Sequence, residues 1–408
     1  MFGGIDWAAN WLDCAVVGRD GQRIAHRRIA ATDPAGLAEA YVDFLRTVNR
    51  TRWRFIPTGI EDQNLLVVEA LGDRGQTVVH IDPTRVARAR KAATVGPVKS
   101  DTADAYLIAD LTRRGMSTPI IPSSPQMRSV RVLAHAQARA VEDRASTMKK
   151  LRACLATYYP AAIDAWPKVG LRHAQARAVL AAAPTPRAAA ALDRQRFYEL
   201  LVTAGRWRTV QDEADRLLVH FRRHPAPKRH PLEEAARAEE MLALLHRLNT
   251  AITQAETLAR RLDEAFAPHR YAPVITSVPG ISTVLGARIA AEVGDRVHER
   301  FGDPRALAAY AGVAPVTWAS GAVSRISMRR AANTTLQTTL YTAAFSFQMH
   351  SPGARDDYLR RRERGVAHGT ALRALGGRLV RILYHCLARG LLYDEQLAFP
   401  KPRAQAPA

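Results

Sequence analysis

Short apolar runs and amphipathic stretches take turns at the start of the chain. Phe2–Ile5 is an apolar run that predicts a strand, and Leu12–Val17 predicts the next, with Asp20-Gly21 as its hairpin turn. Ala35–Val48 carries helical spacing, and Leu65–Leu71 belongs to a helix. Trp53–Ile60 and Thr77–Ile81 predict two further strands, the second closed by Asp82-Pro83. Strands interleaved with helices over residues 1–115 predict an α/β sheet whose chemistry lies at strand ends.

The period then changes. Ser124 stands at a helix cap with Pro125 in the first helical position, and few breakers follow before Tyr159-Pro160. A second long helix starts near Pro231, where Met241, Leu245, Leu248, Ile252, Ala255, Ala259, Leu262 and Phe266 keep a four-three apolar spacing until Pro268. That spacing is a coiled-coil seam, and from Leu232 to Phe266 the helix would span roughly 50 Å. The two long helices fit either an intramolecular hairpin or a dimerisation arm. Residues 116–270 therefore read as a helical, coiled-coil region for dimerisation and nucleic-acid binding, with 165–230 its least patterned part. From Tyr271 the pattern is again helical, dividing into a domain over 271–365 and a C-terminal helix and tail over 366–408. Within it, Val278-Pro279-Gly280-Ile281 before Leu285–Val293 has the shape of a helix-hairpin-helix element. Its glycine turn can offer N–H groups to a DNA phosphate, although Pro-Gly before a helix is also an ordinary connector.

Composition adds a partner. The formal net charge is +21 with a pI near 10.7, and 47% of residues are hydrophobic, so the chain is expected to fold and to present a basic surface to a polyanion. Nucleic acid suits this better than a membrane. No apolar run is long enough to cross a bilayer, and the start MFGGIDWAANWLD lacks the basic-then-apolar layout of a signal peptide. Cys14, Cys154 and Cys386 lie too far apart for a disulfide framework or a zinc cluster, which fits a reducing cytoplasm. Alanine and arginine are abundant throughout, so a single arginine says little about function.

Four acids stand out against that charge. Asp6 follows Phe2–Ile5 and Glu61 follows Trp53–Ile60, so both are expected to project from strand ends. Asp101 and Asp104, three apart at the start of an apparent helix, share one face. Together they offer oxygen ligands for two Mg²⁺ (or Mn²⁺) ions, which suits a metal-dependent nuclease. Each acid also has an ordinary reading. Asp101-x-x-Asp104 fits a helix cap with a second acid favouring the macrodipole, and Asp6 and Glu61 fit loop residues beside strands. Against this, carboxylates gathered where a basic protein must hold phosphate need a bridging cation.

Gly4-Ile5-Asp6-Trp7, Gly59-Ile60-Glu61 and Lys99-Ser100-Asp101-Thr102-Ala103-Asp104-Ala105 resemble, in order and spacing, the DEDD catalytic signature of transposases of the insertion sequence 110 family. Arg128-Ser129-Val130-Arg131 through Leu151-Arg152-Ala153-Cys154-Leu155 resembles that family's basic first helix after the catalytic domain. Arg128, Arg131, Lys149 and Lys150 in this stretch are candidate nucleic-acid contacts. Pro279-Gly280-Ile281, Phe301-Gly302 and Leu307-Ala308-Ala309-Tyr310-Ala311-Gly312-Val313-Ala314-Pro315 resemble the family's C-terminal domain, in which such a segment leads to a Ser-Gly pair with a nucleophilic serine. The match here is Ser320-Gly321. Taken alone, Ser-Gly is an ordinary turn, and a serine hydroxyl needs a base, a metal or positive charge to activate it. Arg325, Arg329 and Arg330 nearby either bind the scissile phosphate or solvate a basic face. Asn333 and Leu336 match the family; Ala332 replaces its glycine, and Ala319 stands where it often has a first serine.

The resemblance implies a RuvC-like, RNase H-type α/β domain, a long α-helical coiled coil, and a mostly α-helical C-terminal domain bearing the serine. It implies excision and insertion of an insertion sequence through a covalent phosphoserine intermediate. Asp6, Glu61, Asp101 and Asp104 would hold Mg²⁺, and Ser320 would come from another subunit. The implied partners are double-stranded DNA at the element ends and target, a structured non-coding guide RNA, and further copies of the chain in a homodimer assembling to a homotetramer. All would meet in the cytoplasm, at the nucleoid. Two other readings share these residues: a metal-only junction-resolving nuclease, and a non-catalytic nucleic-acid-binding protein whose acids are caps and loop residues.

Overall fold

The computed structural model describes residues 1–8, 11–30, 33–62, 66–93, 100–167, 170–224, 230–320, 323–329 and 332–400. The chain divides into two compact units, Met1–Pro122 and Ser123–Ala408.

In the first unit, strands β1 (Phe2–Ala8), β2 (Trp11–Val17), β3 (Arg23–Ala30), β4 (Thr58–Ile60), β5 (Val78–His80) and β6 (Thr118–Pro119) form a sheet ordered β3-β2-β1-β4-β5-β6. β1, β2 and β3 are antiparallel neighbours, β4 and β5 run parallel to β1, and β6 closes the far edge antiparallel. Helices α1 (Pro34–Val48), α2 (Leu66–Asp73), α3 (Pro83–Ala93) and α4 (Asp101–Arg113) lie between the strands in sequence. Alternation along the strands splits the core in two. Ile5, Leu12, Cys14, Val16 and Ile60 pack on one face with Leu37, Tyr41 and Leu45 of α1 and Val67 and Leu71 of α2. On the other face α4 lies against β1 and β2, and its Ile108 and Leu111 meet Ile81 and Val86. Asp33 caps α1, its carboxylate accepting from the Ala35 and Gly36 amides at 2.9 Å.

This unit departs from the sequence pattern in places, each with a physical reason. β1 runs on to Ala8, so Asp6 lies inside the strand rather than at its end; the ladder to β2 continues through Asp6↔Asp13 and Ala8↔Trp11. Trp53–Ile60 is not one strand: Trp53–Phe55 is a 3₁₀ turn and only Thr58–Ile60 joins the sheet, since Pro57 has no N–H for a ladder. β3 has no apolar alternation to announce it because it is an edge strand with mostly exposed, basic side chains.

The second unit is mostly helical. α5 (Pro125–Tyr158), α6 (Pro160–Asp164), α7 (Ala174–Ala182), α8 (Pro186–Ala191), α9 (Arg194–Thr203), α10 (Val210–Arg223) and α11 (Pro231–Phe266) come first. The Ser124 hydroxyl caps α5 by accepting from the Met127 amide at 3.2 Å. α5 and α11 form an antiparallel pair within the chain. Met127, Val130 and Ala134 share a core with Leu262 and Phe266, while Leu151, Cys154 and Leu155 share another with Met241, Leu245 and Leu248. Midway, Ala251 takes the buried place expected of Ile252, which is half-buried together with Ala259, because a 3.6-residue helix drifts against a 3.5-residue repeat. The weakly patterned stretch between them folds as the short helices α7 to α10, where the Phe197 and Phe221 rings stack 5.9 Å apart.

After them come α12 (Ala272–Thr276), α13 (Thr283–Val293), α14 (Val297–Phe301), α15 (Pro304–Tyr310), the strand pair β7 (Pro315–Ser320) and β8 (Val323–Met328), and then α16 (Thr334–His350), α17 (Pro352–Glu363), α18 (His368–Arg389) and α19 (Glu395–Ala398). α12 and α13 flank the expected glycine turn, where Gly280 has φ +81°. That turn rests on α16: the Ser346 hydroxyl donates to the Gly280 carbonyl at 2.7 Å, and a Cβ at Gly280 would strike Ser346. The three cysteines are buried and unpaired, and no described helix is long and apolar enough to cross a membrane.

Candidate active site

Two glycines bring the acids of the first unit together. Gly4 on β1 and Gly59 on β4 are register partners facing α4. A Cβ on Gly4 would overlap the Ala105 carbonyl and the Ala109 amide, and one on Gly59 would overlap Thr112. The helix can therefore lie directly on the strands. Two residues beyond these glycines stand Asp6, on β1 and on the same face as Gly4, and Glu61, which directly follows β4 after the Ile5↔Ile60 pair. Asp104 precedes Ala105 on the facing helix. Asp6 and Glu61 are half-buried, Asp101 is about a third exposed, and Asp104 is buried. Ser100, not Asp101, occupies the N-cap of α4, and its side chain makes no cap bond.

Side chains not singled out by the sequence complete the cluster. Asp13, fully buried and paired across the ladder with Asp6, receives Arg28 through Nε at 3.0 Å and Nη2 at 2.7 Å. The His26 ring lies 2.7 Å from its other oxygen, and the Thr102 hydroxyl of α4 donates to it at 3.2 Å. Burial pushes the Asp13 carboxyl up, but the Arg28 and His26 hydrogen bonds, the Arg28 charge and Thr102 outweigh it and hold it below the ordinary carboxylate range. Arg28 also comes within 3.9 Å of Asp101. The network thus ties β2, β3 and the start of α4 together.

Arg90 of α3 holds Asp104 through a two-pronged bond, Nε to Oδ1 at 2.7 Å and Nη2 to Oδ2 at 2.8 Å. The bond to Asp104, its charge, and the charges of Glu61 and Asp6 raise the Arg90 pKa despite burial. The donor set suits a hard divalent cation, being carboxylate oxygen throughout. In the arrangement present, no three Asp, Glu, His or Cys side chains among the described residues are set to hold a metal ion, and the cation at Asp104 is a guanidinium.

In the second unit, Ser320 is the last residue of β7 and pairs with Val323, the first of β8, and Arg325 pairs with Trp318. Gly321 and Arg330 lie outside the described residues, as does Lys99 in the first unit. Arg329 follows β8, and its Nε is buried with no hydrogen-bond partner among the described residues. A polar cluster gathers around Asn333. Asn333 caps α16 by accepting from the Leu336 amide at 2.8 Å and donates to Glu292 at 2.5 Å and to the Tyr310 hydroxyl at 2.8 Å. The other Glu292 oxygen lies 2.5 Å from the His135 ring, and Arg300 donates to Tyr310 at 3.0 Å. A lone acid in the apolar run Ile289–Val293 was the available sequence signal for Glu292. Of the basic residues expected on α5, Arg128, Lys149 and Lys150 are exposed, whereas Arg131 is half-buried and donates through Nε to the Ala291 carbonyl at 2.7 Å.

Known proteins match both units. The family DEDD_Tnp_IS110, described as a transposase, matches residues 3–160, and the transposase IS116/IS110/IS902 family matches residues 272–359. The IS117 mini-circle protein of Streptomyces coelicolor, which bears a transposase name, is 37% identical over 412 aligned residues, covering 100% of this chain and 98% of its own. A 44.8 kDa protein of the insertion element IS116 from Streptomyces clavuligerus is 27% identical over 98% of this chain and 96% of its own. A 42 kDa protein of IS900 from Mycobacterium paratuberculosis is 26% identical over 96% and 97%. The chain belongs to the IS116/IS110/IS902 family of transposases.

Proposed function

We propose that this transposase excises and inserts its element at a split site, with divalent metal, Mg²⁺ or Mn²⁺, on Asp6, Glu61, Asp101 and Asp104 and with Ser320 of another copy as nucleophile. The observation that carries the reading is the register pairing Gly4 with Gly59, each two residues before Asp6 or Glu61, on strands packed against α4, the helix of Asp101 and Asp104, in a chain of formal charge +21. The mixed sheet supports an RNase H, RuvC-like assignment of residues 1–115. When bound, the metal supplies Lewis-acid polarisation of the scissile phosphate. The chain's own residues do the rest. The Ser320 Oγ–P bond forms as the bond from phosphorus to the leaving sugar oxygen breaks; the serine proton passes to water, and the leaving oxygen takes one up. One phosphate ester replaces another, so attack by a different sugar hydroxyl rejoins strands without ATP. The buried Arg329 Nε, with Arg325 and Arg330, supplies donors for the phosphate oxygens.

Residues 116–270 serve in this reading as the coiled-coil and nucleic-acid-binding arm, 271–365 as the serine domain and 366–408 as its closing helix and tail. Double-stranded DNA and a structured guide RNA are the polyanions, and a homodimer assembling to a homotetramer in the cytoplasm, at the nucleoid, brings the halves together. Incubation with labelled DNA and Mg²⁺ followed by a denaturing gel tests this: a covalent protein–DNA adduct is expected, and Ser320→Ala removes it. Hydrolytic cutting that persists in Ser320→Ala without any adduct in the parent would favour the junction-resolving nuclease. Unchanged recombination in Asp6→Asn would sink the metal site.

A further inference from the structure

A buried carboxylate needs a cation, and at Asp104 that cation belongs to the protein. Asp104 is 2% exposed, and both of its oxygens are taken by the Arg90 fork. Arg90 comes from α3, a helix that buries little beyond Val86. The Arg90 side chain is about a third exposed, so it has solvent to move into. The same guanidinium feels the charges of Glu61 and Asp6, the other acids of the face.

We infer that Arg90 is an exchangeable stand-in for the divalent cation: it neutralises Asp104 while the metal is absent and must leave that carboxylate before an ion can bind. This rests on the proposed metal site. It accounts for why the donor types suit a hard cation while no three of them are set to hold one in the arrangement present. A point charge of +2 outcompetes a guanidinium for several carboxylates at once, but it must first break the two hydrogen bonds. Apparent metal affinity is therefore lowered by the strength of the Arg90–Asp104 pair. Once displaced, Arg90 remains beside the site as a fork-shaped donor of the kind that suits phosphate.

Mn²⁺ titrated onto the full-length protein, followed by loss of the free-ion electron paramagnetic resonance signal, tests the exchange. Arg90→Gln is expected to bind Mn²⁺ roughly two- to fivefold more tightly than the parent, the range for removing a partly exposed competing pair. Arg90→Lys, which keeps the charge but not the fork, is expected to fall between them and serves if Arg90→Gln folds poorly. In chelator Arg90→Gln should melt below the parent, and Mg²⁺ should narrow that gap, because the ion restores a cation to Asp104. Equal Mn²⁺ affinity in parent and Arg90 variants overturns the exchange and leaves the metal site standing. Absence of Mn²⁺ binding in all of them overturns both. Binding undiminished in Asp104→Asn removes the ion from that carboxylate and overturns the exchange.

Discussion

Asp13 sits in a strand of otherwise apolar residues, where water does not reach it, and is held as a carboxylate by Arg28, His26 and Thr102. Replacing it by asparagine keeps the shape but leaves Arg28 without its charged acceptor. Asp13→Asn is expected to lower stability by about 1–3 kcal/mol at neutral pH, read by urea unfolding. The sign with pH follows from its depressed folded value. The contribution is present in full above the ordinary carboxylate value of 3.8 and fades as pH falls through the lower folded value. The gap between parent and variant should therefore be flat from neutral pH to about pH 5 and shrink in acid; a gap that widens in acid would refute the assignment. Residues at this scale differ in how plainly the sequence shows them. Asp6, Glu61, Asp101 and Asp104 are picked out by their order and spacing as the acids of the proposed site. Asp13 left a fainter mark, an acid within Leu12–Val17. Arg90 left none, because it is one arginine in a chain rich in them.

At the scale of elements, the site depends on how closely α4 lies on β1 and β4, which the absence of two side chains permits. Gly4→Ala would drive a methyl into the backbone of α4 at Ala105 and Ala109, and backbone cannot rotate aside. An overpacking cost of about 1–3 kcal/mol is expected, together with loss of strand transfer beyond what the lost stability explains, because the shift moves Asp101 and Asp104 away from Asp6. Gly59→Ala meets the Thr112 side chain, which bonds the Ile108 carbonyl and has some freedom to turn, so its effect should be the smaller. Equal melting temperatures for Gly4→Ala and the parent would show that the helix is not seated as described. Elements with strong periodicity, such as α1, α5 and α11, were readable from the pattern, since their apolar stripes record the core they face. β3 and the β7–β8 hairpin were not. β3 is a basic edge whose partner lies a turn away, and the hairpin interrupts a domain whose other described elements are helices.

Over the whole molecule the dominant quantity is the charge of +21, and its energetic signature is counterion release. Not every arginine or lysine contributes to it. Arg131 donates into its own unit at the Ala291 carbonyl, and burial lowers its pKa, so Arg131→Ala should cost stability rather than phosphate contacts. Lys149 and Lys150 are exposed on α5, whose buried stripe at Thr147, Leu151 and Cys154 excludes both. Substituting both by alanine should leave folding stability within about 0.5 kcal/mol. If both touch phosphate, the slope of log affinity against log salt for duplex DNA should shrink by roughly two units, at about 0.9 per contact. Fluorescence anisotropy across a salt series measures this. A variant that binds with the parent's slope would remove Lys149 and Lys150 from the nucleic-acid surface. A reduced slope for duplex RNA alongside an unchanged one for DNA would assign the helix to a guide rather than to the element, because the two duplexes offer the same charge on different groove shapes.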